Sequence, residues 1–132
     1  MALILYLPKE IEPESSLPEI IKTAIPDCRI IMCHSIGELS EWLHRPLCDV
    51  SVAVLYVGTR AELMEIIYLG DILKELRVVL VLPDSDQEVL ERAYILCPRF
   101  IASAESDFKH LGGVLKRMVS LYDKVYEVQK RE

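Results

Sequence analysis

The chain has 132 residues, 52% of them hydrophobic, and a formal net charge of −6 at pH 7. That length suits one domain with a real core, and the acidic balance argues against binding nucleic acid through a general basic surface. Charges interrupt every apolar stretch before it reaches the length of a membrane span. The N-terminal MALILYLPKE lacks the positive region of a secretory signal, so a cytoplasmic domain with reduced cysteines is expected.

The first apolar run, ALILYL (2–7), reads as a strand, and a helix follows over 17–25. CRIIMC (28–33) is the second strand, its arginine in keeping with a sheet edge, with a helix over 36–44 after it. VSVAVLYV (50–57) is the third strand and leads through Gly-Thr into a helix over 60–75. RVVLVL (77–82) is the fourth, before a helix over 86–96, and RFIA (99–102) is the fifth, before a helix over about 106–128. Four helices open on the same signal, a hydroxyl followed three residues later by glutamate: Ser16/Glu19, Ser35/Glu38, Thr59/Glu62 and Ser85/Glu88. In such a box the hydroxyl caps an orphan N–H and the glutamate reaches back to the cap residue. Pro26, Pro46 and Pro98 supply helix stops.

Continuous apolar strands belong to a parallel sheet buried on both faces. Five such units with short connections imply an α/β, three-layer, doubly wound five-stranded sheet. Right-handed crossovers make the order 2-1-3-4-5 the expected one, with the most apolar strands in the centre. The expected organisation is a single domain over 1–132 with an extended C-terminal helix.

In an open sheet of this kind, reacting groups sit at the carboxyl ends of the strands. Here the tip of the third strand offers Val54, Leu55, Tyr56 and Val57. The layout over about residues 2–122 resembles the receiver domain of bacterial response regulators. The resemblance implies an acidic pair after the first strand, a phosphoacceptor aspartate ending the third, a hydroxyl ending the fourth and a lysine-proline ending the fifth. In this sequence the acidic pair falls on Tyr6 and Leu7, with Pro8 next, and the phosphoacceptor on Leu55. The hydroxyl falls on Leu82 and the lysine on Ser103. Magnesium needs hard oxygen ligands, and an acyl phosphate needs a carboxylate nucleophile; apolar side chains supply neither. The chain thus resembles a degenerate pseudo-receiver with its phosphorylation site gone, neither an enzyme nor a holder of metal or cofactor.

Other constellations point to structure more than chemistry. Cys28, Cys33, His34, His44 and Cys48 contain no CxxC. The helix over 36–44 should hold Cys33 and His34 about 13 Å from His44 and Cys48, which argues against a zinc site. Cys33 and His34 are adjacent and so point to opposite faces of a strand. His110 suits a solvated face. The turn LPKEIEPESS has no glycine to cradle a phosphate, although helix N-termini and Arg60 could hold a small anion at the same edge.

Phe108, Leu111, Leu115, Met118, Tyr122 and Val125 step by three and four along the last helix, an a/d stripe. Two readings stay open: a core helix with a solvated tail, or a helix that packs on a second chain. Gly112 and Gly113 mark a kink, a close approach, or a helix that begins only after them. The favoured expectation is a non-catalytic interaction domain, binding a protein partner and pairing with its own copy through Met118, Val119, Tyr122 and Tyr126, with no nucleic acid and no membrane. The alternative is a small-ligand or anion sensor at the carboxyl edge of the sheet. All four cysteines, including Cys97, are expected to be inaccessible.

Overall fold

Five apolar runs become five parallel strands in the order β2-β1-β3-β4-β5, the order expected from the sequence. The computed structural model describes residues 2–8, 17–45, 50–82, 87–103 and 110–118. The elements are β1 (Ala2–Tyr6), α1 (Leu17–Ala24), β2 (Arg29–Cys33), α2 (Ile36–Leu43), β3 (Val50–Tyr56), α3 (Arg60–Tyr68), α4 (Gly70–Leu73), β4 (Arg77–Leu82), α5 (Gln87–Ala93) and β5 (Phe100–Ser103). A 3-10 turn, Tyr94–Leu96, extends α5, and a helix over residues 110–118, here α6, closes the described chain. Among the described residues, no helix is long and apolar enough to cross a membrane.

The sheet divides the core in two, because alternate residues of a strand point to opposite faces. Ile4 and Tyr6 of β1, Ala53 and Leu55 of β3 and Leu80 and Leu82 of β4 join one cluster. Helices α2, α3, α4 and α5 cover it with Leu39, Leu63, Leu73 and Val89, among others. Leu3, Leu5, Leu7, Val54 and Val81 join the other cluster, under Leu17 and Ile21 of α1 and Leu111, Leu115 and Met118 of α6. Each such leucine or isoleucine contributes about 1.5–3 kcal/mol on burial, so double-sided burial of β1, β3 and β4 dominates the fold's stability. Arg29 opens β2 exposed, as befits an edge strand.

Two expectations about helices are corrected, and one of the alternatives open for Gly112 and Gly113 is removed. The helix expected over 60–75 is broken at Leu69, whose backbone (φ −90, ψ 5) leaves the helical region just before Gly70, a residue that costs about 1 kcal/mol in a helix interior. The helix expected over 86–96 tightens into the 3-10 turn and ends on Cys97 in the left-handed region, φ 51 and ψ 52. Pro98 follows, and a residue before proline is pushed out of the right-handed helical region. Gly112 and Gly113 lie inside α6, which therefore does not begin after them. At Gly112 an added Cβ would sit 3.5 Å from Ala24 Cβ and 3.7 Å from Ile20 Cγ2, ordinary packing distances that place α6 against α1.

The capping boxes are formed at α2 and α3, with one difference. Ser35 Oγ accepts from the Glu38 N–H at 3.2 Å, and Thr59 Oγ1 from the Glu62 N–H at 3.1 Å. Each glutamate also reaches back, to the N–H of the residue before the cap: His34 N–H donates to Glu38 at 2.6 Å, and Gly58 N–H to Glu62 at 3.4 Å. Ser16 and Ser85 lie outside the described residues, as does Cys48.

Candidate functional site at the carboxyl edge of the sheet

The site positions inferred from the sequence sit side by side at the carboxyl ends of the strands. Tyr6 of β1 pairs in register with Leu55 of β3, and Leu82 of β4 with Ser103 of β5. The ladder continues past the strand ends, with Leu7 N–H on the Cys33 carbonyl and Val57 N–H on the Val81 carbonyl, both at 2.9 Å. Tyr6, Leu55 and Leu82 converge on the α2–α3–α5 side, whereas Leu7 turns to the α1–α6 side. Leu7 and Leu55 are 0% exposed, Leu82 1% and Tyr6 3%. These positions are part of the packed interior.

The polar groups that reach this edge hold one another. Tyr6 donates its phenolic hydrogen to Glu62 Oε2 at 3.3 Å, on the same oxygen that receives the Gly58 N–H. Burial first, and the Glu62 carboxylate second, push the Tyr6 phenol well above its ordinary range. Its hydroxyl is therefore a fixed neutral donor. His34 Nδ1 lies 3.2 Å from the Leu7 carbonyl oxygen, which can only accept, so that nitrogen carries the proton. This bond ties the end of β2 to the end of β1. Glu62 is the residue the sequence reading undervalued: it read as half of a capping box, and the fold also brings it to Tyr6, fifty-six positions away.

The cysteine–histidine group does not converge. Cys28 precedes β2, while Cys33 ends it and His34 follows. His44, past the end of α2, donates Nδ1–H to the Ser40 carbonyl at 2.7 Å. Among the described residues no group of three His, Cys, Asp or Glu is placed to hold a metal ion. Cys33 is buried, and that burial, with Glu38 second, pushes its thiol up to about 11. Cys97 is exposed, which corrects the expectation that every thiol is inaccessible; the left-handed turn that ends the 3-10 segment holds it outside the core.

Of the interface residues inferred from the sequence, Val119, Tyr122 and Tyr126 lie outside the described residues. Met118 is not the exposed residue expected: it is 8% exposed and packs in the α1–α6 cluster. Arg77 at the foot of β4 donates from Nη1 to the Met118 carbonyl at 2.9 Å, anchoring α6 there.

No family model matches this chain, and no curated protein does. Solved structures match its fold. The signal receiver domain of a DNA-binding response regulator from Colwellia psychrerythraea superposes with a TM-score of 0.70 at 13% identity, covering 91% of this chain and 98% of its own. A response regulator receiver domain protein from Methanospirillum hungatei gives 0.66 at 10% identity, over 100% and 99%. A protein described as pilus assembly-related from Burkholderia pseudomallei gives 0.69 at 17% identity, over 89% and 87%. These likenesses carry the fold, a five-stranded parallel receiver-like sheet.

Proposed function

We propose that this chain is a receiver-fold domain of signalling type that takes up no phosphoryl group, performs no reaction and acts through protein–protein contacts. One observation carries the reading: Tyr6, Leu55 and Leu82 fill the edge where a receiver's chemistry resides, and all three are buried. A phosphoryl group there would need a carboxylate nucleophile and a cation held by oxygen ligands, and these side chains offer neither. The backbone serves several settings, since its structural neighbours include response regulator receivers and proteins described as concerned with pilus assembly. The alternative, an anion or small-ligand sensor at the same edge, has less support. The N-termini of α2 and α3 are capped by their own Ser35 and Thr59, and Arg60 is paired with Glu88.

The test is incubation with acetyl phosphate and magnesium, followed by intact mass. The expected result is no added phosphoryl mass; phosphorylation that disappears on replacing one aspartate would sink the proposal. The partner we propose first is a second copy, contacting through the expected C-terminal extension of the last helix, where Tyr122 continues the sequence stripe and Val119 and Tyr126 widen it. Tyr122→Glu should then turn a sedimenting dimer into a folded monomer, and a wild type that is monomeric at high micromolar concentration would remove that contact.

A further inference from the structure

Helices α3 and α5 run side by side, and two contacts set their register. Arg60 Nη1 meets Glu88 Oε2 at 3.4 Å, and one turn further down Arg92 Nη1 lies 3.2 Å from Met64 Sδ. Residues four apart share a helix face, so these contacts are successive rungs of one ladder. By the same spacing the next step along each helix leads to Tyr68 on α3 and to the 3-10 turn Tyr94–Leu96 after α5. The foot of the ladder is close-packed: a Cβ added at Gly70 would sit 3.5 Å from Leu96 Cδ2. The ladder is polar at its top and apolar at its foot. Tyr68 is 86% exposed, Tyr94 63%, Ile95 61% and Met64 37%, and these are the exposed large hydrophobic side chains among the described residues. All four gather on this one pair of helices. Clustered exposed apolar surface marks an interaction site, and tyrosine is among the side chains that anchor interfaces.

Charge selects the occupant. Glu65 stands one turn before Tyr68, and Glu91 one turn before Tyr94 and Ile95; both are exposed. Among the described residues neither has an ion-pair partner, Glu91 accepting only from the neutral Gln87 Nε2 at 3.4 Å, whereas Arg60 and Arg92 share Glu88 and Lys74 meets Asp71. A second copy would bring the same uncompensated carboxylates, and like charges across a contact are disfavoured. We infer that the foot of α3 and the 3-10 turn after α5 form a docking surface for an amphipathic helix of another protein, with an apolar stripe flanked by lysine or arginine. Its stripe covers Tyr68, Ile95 and Met64, and its cations reach Glu65 and Glu91. This surface lies across the sheet from α6, so it stands or falls separately from pairing through the last helix.

The test titrates the full chain with three synthetic peptides, followed by NMR of the Met64 and Ile95 methyl groups. Two share one leucine–tyrosine helical stripe and differ only in flanking lysines or glutamates; the third is this chain's own segment 119–132. The lysine-flanked peptide should shift both methyls and bind at least tenfold more tightly than the glutamate-flanked one. Tyr68→Ala should weaken it on the order of tenfold or more, the scale of losing an anchoring aromatic. Glu65→Lys combined with Glu91→Lys should reverse the preference. These are exposed positions, so an unchanged thermal melt separates lost binding from lost folding. Equal binding of both flanked peptides, no shift with either, or tighter binding of the 119–132 peptide would overturn the inference, the last by making a second copy the occupant.

Discussion

At the carboxyl edge of the sheet, Leu55 and Leu82 are sealed in the core and Tyr6 is tied to Glu62. At the foot of α3 and α5, Tyr68, Tyr94 and Ile95 are left in solvent. Similar residue types thus do opposite things in two places on the same side of the sheet. At the carboxyl ends of β1, β3 and β4 this chain has interior; where a helix flank needs only polar residues to stay soluble, it carries aromatic and aliphatic groups. Burial at the edge is a stability feature, because removing those side chains leaves a hole or a stranded charge. Exposure at the foot contributes little to folding, and this makes it the better candidate for a role outside the molecule.

The sharpest way to break that contrast is to put a carboxylate where the receiver resemblance asks for one. Leu55→Asp would place an unpaired charge at a fully buried position, and should cost more than about 4 kcal/mol in urea unfolding. Tyr68→Asp, at the exposed foot, should stay within about 0.5 kcal/mol of the parent. A Leu55→Asp variant as stable as the parent would show that the edge is open. Leu82→Ala and Ile95→Ala repeat the comparison without charge: the first should cost about 2–4 kcal/mol through the cavity it leaves, the second well under half of that.

A smaller effect comes from the polar lock. Tyr6→Phe removes the bond to Glu62 and should cost about 0.5–1.5 kcal/mol. The same variant sharpens a pH dependence. The folded state holds the Tyr6 proton more tightly than the unfolded chain does, so this group's stabilisation is complete below its ordinary value of 10.0 and is lost as pH rises beyond it. Cys33, raised from 9.0 to about 11, adds a loss of the same sign across that interval. In a Cys33→Ala background, wild-type Tyr6 should therefore show a steeper fall in melting temperature above pH 10 than Tyr6→Phe. Parallel curves would mean that the phenol is not held as described.

The smallest effect separates interior from surface by reactivity alone. A thiol reagent under native conditions should label Cys97 quickly and Cys33 only on unfolding, with no change in stability on modifying Cys97. Fast labelling of Cys33 would place the end of β2 outside the core.

Much of this molecule was legible in the residues themselves. Continuous runs such as VSVAVLYV and RVVLVL suit strands that are buried on both faces, and hydroxyl–glutamate pairs placed helix starts within a residue at Ile36 and Arg60. Short connections and the handedness of crossovers then allowed few sheet orders, and the observed one is the expected one. These signals are local or combinatorial, so sequence suffices for them. The stripe of the last helix was legible as a pattern but not as a location: Met118 obeys the same period whether it faces a sheet or a second chain, and only packing against α1 decides for the sheet. The break at Leu69 and the turn at Cys97 carry local signals, Gly70 and Pro98, that mark where a helix falters without giving the backbone angles it takes there. The exposure of Tyr68 and Ile95 depends on which flank of each helix the sheet leaves uncovered. The Tyr6–Glu62 bond joins residues brought together only when β1 and β3 pair and the β3–α3 turn sets Glu62 above them. Contacts of that kind have no local period, because the free energy that selects them belongs to the closed sheet and not to any segment of the chain.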